Sequence, residues 1–208
     1  MKLTSNSISQ GKPIPSENAF AEPDPETHIR WAGNRNPDLR WSDAPEGTKS
    51  FAIVCVDQDV PSDGTDVNQE GRLVPADLPR VNFYHWLLVD LPPATNEIEA
   101  GAHSDGVTAR GKSGAAAPGG GRHGLNDYTG WFKGDPDMEG EYFGYDGPCP
   151  PWNDERIHHY TFTVYALDVE QGPIGDKFSG SDLITTLGSH ILDRATLMGT
   201  YSLNPEVS

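Results

Sequence analysis

Four separated segments of this chain carry side chains of the kinds that bind small ligands. A carboxylate, Asp57, ends an apolar run, and a single histidine, His85, lies inside an aromatic run. A third segment, Gly147 to Pro151, is rich in proline, and a fourth opens on His158 and Tyr160. Imidazole and phenol groups donate hydrogen bonds, so a pocket built from them suits a small anion. Asp57 would then either orient an imidazole or bind the cationic end of a zwitterion.

The segment Gly147-Pro148-Cys149-Pro150-Pro151 must form a rigid loop. Each proline fixes its own φ angle and removes a backbone donor, which excludes a helix interior or a central strand. Rigid loops beside strand ends commonly carry binding sites. We therefore expect this loop to form one wall of the pocket and to offer its free backbone amides to a ligand. The thiol of Cys149 is expected to be packed and unreactive.

Apolar runs predict the strands that would position these groups. Strands are expected from Ser50, over 81–91 and over 158–168. In 83–91 both alternating faces are apolar, which is typical of a strand buried on both sides, and the alternation places His85 on one face with Phe83 and Leu87. The 23 glycines and 18 prolines favour short strands and many turns. These features predict an all-β fold of two packed sheets with a further element outside them.

An amphipathic pattern near the C-terminus predicts that outer element. Apolar residues recur at about every fourth position between Ser181 and Thr200, beginning at Leu183. Ser181 or Asp182 suits the N-cap of a helix. We expect one C-terminal helix, or two short ones divided at Gly188. Long irregular loops are expected between the strands, above all in 101–146.

Composition limits the domain organisation and the partners. The 208 residues suffice for one domain, predicted over 34–208, and the polar, proline-rich residues 1–33 are expected to pack on it as an arm. A net charge of −16 disfavours nucleic-acid partners and adsorption to anionic membranes. No run is apolar enough for a signal peptide or a membrane span. Two cysteines are too few for a disulfide framework. The sequence therefore predicts a cytoplasmic protein without membrane insertion, and it offers no cofactor motif.

Four motifs, taken in order, resemble the phosphatidylethanolamine-binding protein (PEBP) family. They are Asp57-x-Asp59-x-Pro61, His85-Trp86, the Gly147–Pro151 loop and His158-x-Tyr160. The bacterial and archaeal branch, called Raf-kinase-inhibitor-like or YbhB/YbcL, is the most similar. The resemblance runs from about Asn34 to Tyr201.

The resemblance implies a two-sheet antiparallel β-sandwich and a non-catalytic pocket for phosphate-like or acetate-like groups and the phosphoethanolamine head. It also implies a cis bond before Pro61, a kinase or other signalling partner and a homodimer, for which Trp131 and Phe132 could form the contact face. The ligand-binding residues implied are Asp57, His85, Gly147, Cys149, Pro151, His158 and Tyr160.

Two features depart from the relatives. Gln58 stands where they often have proline, and the stretch from Trp131 to Tyr142 looks like an insertion directly before the proline loop. Its position predicts that it narrows or caps the pocket.

One other class of function stays open at this point. Asp57, His85 and His158, with Cys149, are residue types that bind zinc, so a metal-dependent hydrolase is the alternative. No Gly-x-Ser-x-Gly or His-Glu-x-x-His motif occurs, which favours binding over hydrolysis. If the imidazoles titrate near neutrality, anion affinity is expected to rise from about pH 8 to about pH 6.

Overall fold

The computed structural model describes residues 1–207 and consists mainly of antiparallel strands. Two short helices are present in that range, α1 (Tyr128–Trp131) and α2 (Gly180–Leu187). None of its helices is long and apolar enough to span a bilayer. The strands in chain order are β1 (Lys2–Thr4), β2 (Ala21–Asp24), β3 (His28–Trp31), β4 (Leu39–Ser42), β5 (Ser50–Pro61), β6 (Arg80–Leu91), β7 (Glu97–Ile98), β8 (Arg122–His123), β9 (His158–Leu167) and β10 (Ile191–Tyr201).

The main sheet has five strands in the order β10-β9-β5-β6-β8, and its β5 is central. One face packs against the three-stranded sheet β1-β4-β7, where Trp41 contacts Phe51 with ring centroids 5.4 Å apart. The other face packs against α2, whose Leu183 and Leu187 bury the β6 residue Leu87. The predicted all-β, two-sheet architecture is confirmed, as is the expectation that β6 is buried on both faces.

The helix predicted over Ser181–Thr200 is wrong beyond its first turns. It begins after the N-cap Ser179, whose side chain and that of Asp182 form a capping box, and it ends at Leu187. A 3-10 turn at Gly188–His190 follows, and then the edge strand β10 pairs with β9 along its whole length. Alternate residues of β10 from Ala195 to Tyr201 are buried. That two-residue period fits a strand, and it shares some positions with a four-residue repeat, which explains the misreading.

Residues 1–33 contact the main body along their length. Strand β1 pairs with β4, and Ile8, Ile14 and Phe20 are buried. The amide of Phe20 donates to the carbonyl of Pro148 at 2.9 Å. The N-terminal segment therefore supports the proline loop directly.

Two irregularities in the β5–β6 pairing shape the end of the sheet. Cys55 pairs with Trp86 while Val56 pairs with Tyr84, which leaves His85 as an extra residue. Such a bulge turns the extra side chain away from strict alternation. The prediction that His85 shares a face with Leu87 is therefore wrong, because Leu87 packs on the α2 side. A second shift lies between Asp57 and Val60, and the expected cis bond before Pro61 is also wrong, since no peptide bond in residues 1–207 is cis.

Candidate functional site

A cavity of about 110 Å³ opens where β5, β6 and β9 end beside the proline loop. Six of the seven residues implied by the resemblance lie on its wall, and Gly147 does not. The strands bring the first groups together because Asp57 pairs directly with Tyr160 in the β5–β9 register. The six are Asp57, His85, Cys149, Pro151, His158 and Tyr160.

A chain of alternating charges lies behind this wall. His158 Nδ1 is 2.7 Å from Asp57 Oδ2, and His158 Nε2 is 3.1 Å from Asp154 Oδ2. The Arg80 guanidinium donates to both oxygens of Asp154, at 2.6 and 3.0 Å. All four side chains are buried. Two cations alternate with two anions, so the chain as a whole is neutral.

His158 is cationic in this arrangement. Burial alone would lower its pKa, but the hydrogen bonds to Asp154 and Asp57 and their negative charges outweigh burial and raise the pKa to about 9. Both ring nitrogens then donate, which is how an imidazolium is satisfied between two carboxylates. The ring is consequently engaged on both sides and has no nitrogen left for a metal ion.

His85 is in the opposite state. Burial lowers its pKa, and the charge of Asp57 opposes that effect only in part. His85 Nδ1 lies 2.8 Å from the backbone oxygen of Asp146. A carbonyl can only accept, so Nδ1 carries the hydrogen. Nε2 makes no hydrogen bond with the described part of the chain.

The pKa values of the two histidines move in opposite directions away from neutrality. The titration of His85 or His158 between pH 6 and 8, on which the predicted rise in anion affinity was based, is therefore not what the free protein provides. A pH dependence of binding has to come from the ligand or from the bound state.

Tyr160 contributes the second open polar group. Its hydroxyl is fully buried and has no hydrogen-bond partner within residues 1–207. Burial, reinforced by the negative charge of Asp57, raises the pKa of Tyr160 well above its usual value of 10. The hydroxyl thus stays protonated and can donate to a ligand. Its ring centroid lies 5.1 Å from that of His85.

The proline loop forms the wall in a different way from that expected. The Gly147 amide donates to Asn34 Oδ1 at 2.8 Å, and the Gly147 carbonyl accepts from Tyr128 Oη at 2.8 Å. This glycine is therefore occupied in holding the loop, and its amide is not free for a ligand as predicted. Cys149 does line the cavity, and burial raises its pKa to about 12, so its sulfur stays a thiol.

A buried carboxylate holds the loop and His85 in place from behind. Asp146 Oδ1 accepts from Asn34 and from Lys112 Nζ, at 2.8 and 2.7 Å, and Oδ2 accepts from Asn126 at 2.8 Å. Its backbone oxygen is the one that fixes His85. Burial raises the pKa of Asp146, and Lys112 opposes that rise.

Sequence reasoning missed these supporting groups and part of the wall. Asp154 precedes His158 by four residues, a spacing that could have indicated a partner, whereas nothing local in the sequence marked Arg80 or Asn34. Trp131, the first residue of the suspected insertion, does line the cavity. The remaining wall residues that were missed are Val60, Pro61, Gly64, Val67, Asn68, Phe83, Tyr128 and Pro150.

Comparison with known proteins agrees with this geometry. The family model of the phosphatidylethanolamine-binding protein matches residues 4–202. The chain belongs to the PEBP family. This confirms the resemblance, and membership supports a ligand-binding protein rather than a hydrolase. No group of three or more His, Cys, Asp and Glu in residues 1–207 is arranged to hold a metal ion.

The similar proteins belong to the expected branch. YbhB of Escherichia coli is 30% identical over 203 residues, covering 97% of this chain and all of that protein, and E. coli YbcL is 28% identical over 202 residues, covering 97% and 87%. The crystal structure of E. coli YbcL, described as a new member of the mammalian PEBP family, superposes with a TM-score of 0.67 at 27% identity, covering 97% of both chains. A PEBP homologue from Chlamydia trachomatis gives 0.60 at 26% identity, covering 97% of this chain and 96% of the other.

Proposed function

We propose that this protein is a non-catalytic binding protein whose cavity takes a small anionic group of the phosphate type. The observation that carries the proposal is the buried hydroxyl of Tyr160, which has no partner within residues 1–207 and lies beside the unbonded Nε2 of His85. A buried polar group without a partner destabilises a protein by about 1–3 kcal/mol. A ligand that bonds to both groups recovers this free energy.

The size and charge of the cavity support a head group rather than a whole lipid. An apolar cavity of about 150 Å³ holds one benzene molecule, so 110 Å³ suits a group of a few heavy atoms. The charged chain that ends at Asp57 is neutral overall. Affinity would therefore come from directed hydrogen bonds and not from an excess of positive charge.

The state of the nucleophilic side chains supports binding without catalysis. Cys149 is a thiol with a raised pKa, and His158 is fixed as an imidazolium between two carboxylates. Neither is available as a nucleophile or as a general base.

Calorimetric titration with inorganic phosphate at pH 6.5 tests the proposal. We expect binding to one site, and His85→Ala should weaken it by about five- to 150-fold, which corresponds to the loss of one hydrogen bond to a charged group. His190→Ala is the control, because His190 pairs with Asp168 and lies outside the cavity wall. Equal affinity in the wild type and in His85→Ala would show that phosphate binds elsewhere.

The signalling partner and the homodimer stay predictions. Of the two aromatic residues suggested for a dimer face, Trp131 is half exposed. Phe132 instead stacks on Tyr128 and approaches Phe20, with ring centroids 5.5 and 6.0 Å away. Trp131 is consequently the more accessible of the two to a partner.

A further inference from the structure

The hydrogen-bonding direction of His85 is fixed by its neighbours. Nδ1 faces the backbone oxygen of Asp146 and must donate to it. A neutral imidazole that carries its hydrogen on Nδ1 presents a lone pair at Nε2. His85 therefore offers the cavity an acceptor.

The groups around His85 keep its ring neutral. The carboxylate of Asp57 would favour an imidazolium, but it is already paired with the cationic His158. The carboxylate of Asp146 is likewise paired with Lys112. The remaining titratable neighbours, Tyr128, Tyr160 and Cys149, have raised pKa values and stay uncharged. No unpaired negative charge thus faces the ring, and its burial favours the neutral form.

The cavity wall accordingly places one acceptor beside one donor. His85 Nε2 accepts, and the Tyr160 hydroxyl donates, from rings whose centroids are 5.1 Å apart. A ligand satisfies both only if it has a hydroxyl and an unprotonated oxygen on the same central atom. Leaving either protein group unbonded in a buried site weakens binding, so the requirement discriminates between ligands.

We propose that the cavity selects phosphomonoester monoanions, which carry one acidic hydroxyl, over sulfate monoesters and phosphodiesters, which carry none. This inference rests on the proposed function, in which the cavity takes a phosphate-like group. The second pKa of a phosphomonoester is about 6, so the monoanion is accessible near neutral pH. The dianion lacks the hydroxyl, and it also brings a second negative charge toward Asp57.

Methyl phosphate and methyl sulfate form a matched pair for the test, since they have the same heavy-atom count and nearly the same shape. Calorimetric titrations from pH 5.5 to 8, each in two buffers of different protonation enthalpy, give the affinity and the protons taken up. At pH 6 we expect methyl phosphate to bind at least about tenfold more tightly than methyl sulfate or dimethyl phosphate, as the loss of one hydrogen bond in a buried site implies. Its affinity should fall about tenfold per pH unit above pH 7, with uptake of about one proton per site at pH 8.

His85→Gln provides a second measurement, because an amide can turn its N–H toward the ligand. We expect this variant to bind methyl phosphate and methyl sulfate within about threefold of each other. His190→Gln is the control and should keep the wild-type ratio. Thermal unfolding of each variant establishes that it is folded, and the wild-type ratio decides the matter if His85→Gln is not.

Three outcomes separate this inference from the function on which it rests. Tight binding of methyl phosphate with weak, pH-independent binding of methyl sulfate supports both. Comparable affinities for the two esters, with proton uptake on binding methyl sulfate, would show that His85 becomes cationic and donates, which overturns the inference but keeps the anion site. Failure of both esters to bind at millimolar concentration overturns the proposed function as well.

Discussion

The charged chain behind the cavity makes a strong prediction for Asp154→Asn. Asp154 is 1% exposed and is the anion between Arg80 and His158. Asparagine keeps the shape of the side chain but removes its charge. It leaves the Arg80 guanidinium, itself only 5% exposed, without a counter-ion.

The magnitude follows from the contacts that are lost. Breaking a buried ion pair by neutralising one partner costs about 3–5 kcal/mol, because the remaining charge stays desolvated. The rise in the pKa of His158 from 6.5 to about 9 is worth about 3 kcal/mol at 1.36 kcal/mol per unit, and Asp154 shares it with Asp57. The two figures describe overlapping interactions and do not add. We expect a loss of about 3–5 kcal/mol at pH 7.

The same substitution should change how stability depends on pH. The pKa of His158 is higher in the folded state than in the unfolded state, so its contribution is complete below about pH 6.5 and is lost as pH rises through about 9. Within that window the wild type should lose up to about 1.4 kcal/mol per pH unit from this residue. With only Asp57 as a partner the pKa of His158 falls, so the variant should show a shallower slope.

Urea unfolding followed by tryptophan fluorescence at pH 6.5, 7.5, 8.5 and 9.5 measures both effects. Glu97→Gln is the control, because its ion pair with Arg40 spans 3.2 Å but both side chains are more than half exposed. Exposed pairs contribute about 0–1 kcal/mol, so this variant should stay near the wild type at every pH. If Asp154→Asn lost less than about 1 kcal/mol at pH 7, or kept the wild-type slope, our account of the charged chain would be refuted.

Two further variants address the open hydroxyl and the buried carboxylate. Tyr160→Phe removes a hydroxyl with no partner in residues 1–207, so unfolding should show equal or slightly higher stability, whereas the calorimetric affinity for methyl phosphate should fall about ten- to 100-fold; a loss of stability without a loss of affinity would place the hydroxyl outside the site. Lys112→Met removes the cation of a buried pair and should destabilise the protein by about 3 kcal/mol at pH 7. Because the pKa of Asp146 in the fold is already raised, the folded state binds protons more readily than the unfolded state, and chemical unfolding at pH 5 should recover part of that loss; an equal deficit at both pH values would contradict this reasoning.

The sequence allowed prediction of the sheets more fully than of the site. The apolar faces of 83–91 correctly indicated a strand buried on both sides, and the residues of α2 that cover it were also found. Strand β10 was missed because Ile191 and Ala195 fit a helical repeat as well as a strand. Only pairing with β9, a long-range contact, decides between the two.

Within the site, side-chain direction was the part that alternation could not supply. The bulge at His85 depends on how two strands match, which no single strand reveals. The ionic partners of His158 were missed for a related reason. Arg80 lies 74 positions from Asp154, and only the folded chain brings them together.

The contact between the N-terminal segment and the proline loop has a consequence for when the cavity forms. Tyr145 Oη donates to the backbone oxygen of Asn18, a residue 127 positions earlier in the chain. Bringing such distant residues together requires the closure of a long loop, and folds rich in these contacts form slowly. The wall therefore cannot be completed on a nascent chain until both ends of this span have emerged. Ligand binding consequently reports completion of the whole fold, and a chain truncated before Ala21 should lose the cavity while keeping the residues of its central strands.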